Sequence, residues 1–120
     1  MNFDWTEQEQ ALRDAVEKLL DDETRQALDE METADPGRLD TLTRAQLARL
    51  GEAGYLSIAV SNPAETLTWI AAQEVLAQAS GALYLATEVS ARLFGGLVER
   101  HASDALKAKI GPGIRSGALV

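Results

Sequence analysis

The sequence predicts an all-α protein, an up-and-down bundle of about five helices around a buried central helix hairpin. The first sign is the stretch from Leu67 to Leu97, LTWIAAQEVLAQASGALYLATEVSARLFGGL, whose only charges are Glu74, Glu88 and Arg92. Ser80-Gly81 divides it into two segments that are apolar on most of their circumference, and a helix apolar nearly all round is a buried helix. A second sign is the recurrence of Leu12, Val16, Leu19, Leu20, Ala27 and Leu28 at helical spacing on one stripe, with Asp, Glu, Arg and Lys opposite. The third is a low aromatic content of 5%. Leu and Ala must then fill the core, which suits close helix packing better than a β-sandwich.

Composition narrows the function. A chain of 120 residues fits one domain, 1–120. The absence of Cys excludes disulfides, thiolate metal sites and Cys nucleophiles together. The opening MNFDWTEQ has neither a basic nor an apolar leader region, so no targeting signal is read and a cytoplasmic protein is expected. Each half of the apolar stretch falls short of the roughly 20 residues a membrane-spanning helix needs. The net charge of −8 is uneven: residues 1–60 hold 14 acids against 6 bases, whereas residues 61–120 hold 5 of each. That distribution disfavours nucleic acid, which is bound largely through phosphate neutralisation by Lys and Arg, and an anionic membrane surface likewise.

Taken in order, Phe3 and Trp5 are expected to anchor the N-terminus on the core. Thr6-Glu7-Gln8-Glu9 fits a capping box, opening a first helix of some six turns through Leu28. Thr33-Ala34-Asp35-Pro36-Gly37 closes it. Asp40 or Thr43 is expected to cap a second helix with Leu42, Leu47 and Leu50 inside, and Gly54 is the better terminating glycine. Leu56-Ser57-Ile58-Ala59-Val60 alternates as an extended segment, read as a buried loop, and Asn62-Pro63 turns the chain. Helix 3 is expected from about Glu65 to Ser80 and helix 4 from about Ala82 to Arg100, with Gly95-Gly96 marking either a close helix approach or a bend. Ser103 caps a short fifth helix through Lys109, ended by Gly111-Pro112-Gly113. Ile114 onward reads as a turn leading outward, with Ala118-Leu119-Val120 like the start of a strand.

Few constellations carry chemistry. His101 is the only His, sits beside Arg100, and suits the negative end of a helix dipole rather than a triad or zinc site. Asp21-Asp22-Glu23 with Asp29, Glu30 and Glu32 lack the pattern of a calcium loop and read as a solvated acidic face. Gly111-x-Gly113 with Gly117 is not a dinucleotide fingerprint. Lys107, Lys109 and Arg115 could hold a phosphate but read as ordinary surface bases. Glu88, on a largely apolar helix, is the residue of most interest, and Arg92 at i+4 can pair with it.

Several segments together resemble the N-terminal helical domain of the acyl-CoA dehydrogenase family of flavoproteins. Thr6-Glu7-Gln8-Glu9-Gln10-Ala11-Leu12-Arg13-Asp14-Ala15-Val16 is similar to the family's TEEQ-x-x-L-R-x-x-V opening. Leu50 to Val60 is similar to its L-x-x-x-G-[YW]-L-x-[IL]-x-V segment, and Glu74-Val75-Leu76-Ala77 to its E-E-L-A helix. Ser103 to Lys109 resembles T-E-E-Q-K-x-K, and Gly111-Pro112-Gly113-Ile114 with Ser116-Gly117 resembles L-P-x-[LI]-x-S-G. The resemblance implies the N-terminal part of a flavin-dependent enzyme that oxidises a CH–CH bond of an acyl-CoA thioester. FAD and the catalytic carboxylate would then lie in a following β-domain and helical bundle. This chain would hold no catalytic, cofactor or metal residues, would be inactive alone, and would belong to a homo-oligomer. By the same resemblance Tyr84, Leu85 and Glu88 are candidates for the wall of the acyl pocket. After Val60 the family's P-E-E-Y-G-G is replaced by Ser61-Asn62-Pro63-Ala64-Glu65, which fits a member acting on an unusual CoA thioester as well as a fatty acyl enzyme. The alternative is a free-standing helical interaction or dimerisation module without catalysis.

Overall fold

A computed structural model describes residues 4–61 and 66–119, and among them every regular element is helical. The order is α1 (Glu7–Leu19), α2 (Asp22–Met31), α3 (Pro36–Glu52), α4 (Tyr55–Ser61) and α5 (Thr66–Ala79). One continuous rod follows, made of α6 (Gly81–Thr87), a π-helical stretch (Glu88–Gly95) and α7 (Gly96–His101), and α8 (Asp104–Ser116) closes the chain. The all-α class stands, with more helices than the expected five. The expected roles of Phe3, Asn62-Pro63 and Val120 lie outside the described residues.

The starts expected from sequence hold where the signal is local. Thr6 and Glu9 exchange the two capping-box hydrogen bonds, at 2.8 and 3.2 Å. At the expected Ser80-Gly81 division Ser80 accepts from the Leu83 N–H at 3.2 Å, and Ser103, the expected cap of the last helix, accepts from the Leu106 N–H at 3.3 Å. Gly54 takes a left-handed φ of 79° just beyond α3, the geometry a helix-terminating glycine supplies without strain.

Other boundaries differ. The single first helix is two, because the Asp21 carboxylate accepts from the Thr24 N–H at 2.9 Å and starts α2 afresh. Arg49 of α3 grips the same carboxylate at 3.0 Å and also bonds the Thr24 hydroxyl. These hydrogen bonds hold Asp21 well below the usual carboxylate range. The cap of α3 is neither Asp40 nor Thr43. Asp35 accepts from Gly37 and Arg38 at 3.0 and 3.1 Å, with Pro36 in the first turn, where its missing N–H costs nothing. Asp40 pairs with Arg44 instead.

Leu56 to Val60 is helical rather than extended. Leu56 and Val60, four apart, both bury against the core, so the alternating pattern was also compatible with helical spacing. Likewise α8 does not stop at Gly111-Pro112-Gly113 but continues to Ser116, burying Ile114, and ends at Gly117 with φ 74°. The extra turn rests on α3. A Cβ on Gly51 would lie 2.2 Å from the Ser116 carbonyl oxygen, and one on Gly117 would lie 2.3 Å from that of Leu47. Backbone therefore meets backbone there, a packing only glycine permits.

The fold is a slab of 44 × 39 × 19 Å, roughly two packed helices deep. α1 packs along α5 and α2 along α3, around a core of Val16, Leu28, Leu47, Leu56, Trp69, Leu76, Leu83 and Ile114. The central hairpin of α5 and the α6–π–α7 rod buries only one face. Trp69, Ala72, Leu76, Leu83, Thr87 and Ala91 point inward, but Leu85, Val89, Leu93, Phe94 and Leu97 remain 45–59% exposed. An apolar circumference here means a covered face and an uncovered one, not burial all round. Trp5 is also on the surface, beneath the Arg13 guanidinium at 4.9 Å, rather than anchored in the core.

The π stretch keeps the rod's inner face straight. Leu83, Thr87, Ala91 and Gly95 are buried at steps of four. In a pure α-helix each such step would drift by about 40°; the wider π turn drifts the other way. Gly95 also settles the alternative left open by Gly95-Gly96 in favour of close approach: a Cβ there would sit 2.9 Å from Val60 and 3.0 Å from Ile114 side-chain carbons.

Candidate functional site

Three helices converge where the π stretch begins. Gly54 turns the chain so that Tyr55 opens α4 facing inward, and its ring stacks on Trp69 of α5 with centroids 4.5 Å apart and planes 25° from parallel. One turn along α5, Gln73 receives the Tyr55 hydroxyl hydrogen at Oε1 (2.8 Å) and donates from Nε2 to Glu88 Oε1 (3.0 Å). Trp69 Nε1 donates to the same oxygen at 2.9 Å, and Arg92 Nε donates to Glu88 Oε2. The Thr87 hydroxyl lies 3.1 Å from Gln73 Oε1 and 2.8 Å from the Tyr84 carbonyl oxygen, and its one proton serves one of them at a time.

The electrostatics follow from these contacts. Burial works to raise the Glu88 pKa, but hydrogen bonds from Gln73, Trp69 and Arg92, with the Arg92 charge, outweigh it and hold the carboxyl below the ordinary glutamate value. Burial, reinforced by the nearby Glu88 charge, pushes the Tyr55 phenol far above its ordinary range. Glu88 is therefore a fixed anion at neutral pH, and Tyr55 a neutral hydrogen-bond donor.

This network floors an open groove of about 290 Å³ between α5 and α6, lined by Ile70, Gln73, Glu74, Ala77, Tyr84 and Glu88. Of the three residues singled out from sequence, Tyr84 and Glu88 line the groove, both half-buried, while Leu85 stands 59% exposed on the adjoining apolar strip. The Glu88–Arg92 pair forms at i+4. His101 is exposed in the last turn of α7, and Arg115 pairs with Glu99 at 3.2 Å. Sequence reasoning missed Tyr55, Trp69, Gln73 and Thr87 as members of the site. The available signal was Gln73 and Thr87, uncharged polar residues on the inner stripes of otherwise apolar helices. A second groove of about 390 Å³, lined by Val89, Ser90, Phe94 and Leu119, opens on the exposed strip. Among the described residues no cluster of His, Asp or Glu is placed to hold a metal ion, and no helix is long and apolar enough to cross a membrane.

Fold and site together define an all-helical domain with one uncovered apolar face beside a polar-floored groove. The family model of the acyl-CoA dehydrogenase N-terminal domain matches residues 6–118, and the chain belongs to that family. Neither a curated protein nor a solved structure gives a match.

Proposed function

We propose that this chain is a single domain, 1–120, that walls the acyl pocket of a flavin-dependent acyl-CoA dehydrogenase-like oxidoreductase and is inactive alone. Tyr84, Leu85 and Glu88 are its contribution to that wall. The remaining domains hold FAD and the base that removes the substrate proton, and the intact protein is a cytoplasmic homo-oligomer. The observation that carries the reading is the strip Leu85, Val89, Leu93, Phe94 and Leu97, each about half exposed, beside the Tyr84–Glu88 groove. A contiguous apolar strip of this kind marks a surface that something else covers.

The groove itself does not fit a flavin dinucleotide. No Lys or Arg is among the residues that line it, so nothing there would hold the diphosphate charges and no chemical step is assigned to flavin in this chain.

The test is expression of the full open reading frame in which the chain occurs. It should yield a protein with stoichiometric flavin absorbance that bleaches on anaerobic addition of an acyl-CoA. A flavin-free full-length product would sink the reading and leave a helical dimerisation module built on the same strip.

A further inference from the structure

The α5–α6 groove has apolar walls, Ile70, Ala77 and the Tyr84 ring, and a polar floor with acceptor capacity to spare. A carboxylate offers about four acceptor positions, and Glu88 fills three, with Trp69, Gln73 and Arg92. The Tyr84 hydroxyl has no partner among the described residues, although Tyr84 lines the groove. Both carboxylates of the groove are matched by guanidinium groups, Glu88 by Arg92 and Glu74 by Arg13 at 3.3 Å. The local charge is therefore balanced, which removes the advantage an ammonium group would have over a neutral donor. A saturated chain laid in this groove would strip water from the open position on Glu88 and from the Tyr84 phenol and return no hydrogen bond. A hydroxyl on the chain returns one, as donor to the open position on Glu88 or as partner of the Tyr84 phenol, both residues lining the groove.

We infer that Tyr84 and Glu88 select an acyl-CoA thioester whose acyl chain carries a hydroxyl group over the plain alkanoyl thioester of equal length. This rests on the pocket-wall reading above and adds a substrate class to it. Sites that hydrogen-bond a substrate hydroxyl discriminate strongly against analogues lacking it; with one open acceptor and a groove open to solvent, about tenfold is expected here.

The experiment uses matched pairs of alkanoyl-CoA and hydroxyalkanoyl-CoA thioesters at several chain lengths. In the 120-residue chain the Trp69 indole N–H, bonded to Glu88, is the reporter in a ¹H–¹⁵N titration at millimolar ligand. The hydroxylated thioesters should shift that signal with an apparent Kd about tenfold lower than their partners, and Tyr84→Phe, which leaves the Glu88 network intact, should bring the two close together. Equal Kd values, or no Trp69 shift with either member of any pair, overturn the inference. In the full-length protein, flavin reduction with equal kcat/KM for both members of a pair overturns it while leaving the proposed function standing. No flavin reduction by any thioester, with the selective Trp69 response retained, removes the proposed function and supports the selection.

Discussion

Trp69 Nε1 donates to Glu88 Oε1 at 2.9 Å, tying the inner face of α5 to the first residue of the π stretch. One buried ring thereby does two jobs, stacking on Tyr55 and fixing the carboxylate that the groove presents. Buried polar networks of this kind are costly when broken, because the groups left behind cannot recover their water.

Trp69→Phe keeps an aromatic ring against Tyr55 but removes a donor from Glu88 and leaves part of the indole volume empty. It should destabilise the domain by about 2–3 kcal/mol. Tyr55→Phe, which deletes only the hydroxyl that donates to Gln73, should cost about 1 kcal/mol. Chemical denaturation with unchanged m-values checks both; a larger loss for Tyr55→Phe than for Trp69→Phe would contradict the arrangement.

The α3–α8 contact predicts a sharp division among glycines. Gly117→Ala places a methyl 2.3 Å from the Leu47 carbonyl oxygen at a φ of 74° and should cost about 3 kcal/mol or more. Gly81→Ala meets nothing within 4 Å at the start of α6. It should be neutral or stabilise by up to about 1 kcal/mol. Thermal unfolding of the two variants decides the matter.

Glu88 and Asp21 both have folded pKa values below their ordinary ones. Their contribution to stability is complete above the ordinary carboxylate range and is lost as pH falls through the lowered folded values. The stability gap between the wild type and Glu88→Gln should therefore be widest near neutral pH and narrow in acid. Denaturant midpoints measured from pH 7 down to pH 3 test this; a gap that widens in acid would contradict it.

Leu93→Ser and Leu85→Ser alter side chains that are already 48% and 59% exposed. Each should change the stability of this domain by no more than about 0.5 kcal/mol. If the strip is covered in the full-length protein, the same substitutions should lower its flavin content or acyl-CoA-dependent bleaching. A full-length protein indifferent to both would place its partner surface elsewhere.

Much of this was legible from the chain because the signals were local. The Thr6–Glu9 box, the Ser80-Gly81 division, the Ser103 cap, the Gly54 stop and the Glu88–Arg92 pair each lie within four residues, the reach of a helical turn. The inner stripe of Leu42, Leu47 and Leu50 and the family membership were likewise in the order of residues. Three features were not. Arg49, 28 residues away, holds the Asp21 carboxylate that starts a new helix where periodicity ran on unbroken. Backbone contact with Leu47 and Gly51 accompanies the passage of α8 through Pro112. The Glu88 site joins groups from α4, α5 and the π stretch that are 15 to 19 residues apart where they bond directly.

The sequence by itself determined that the protein is helical, where α1, α6 and α8 begin, and which residues are apolar enough to pack, because caps and periodicity are satisfied within one turn. Only the tertiary structure decided which side of an apolar helix is covered. Leu83 and Leu85 are equally greasy and two residues apart, yet one is 1% exposed and the other 59%. That difference comes from whether a neighbouring helix lies across the residue, and no property of the residue itself carries it.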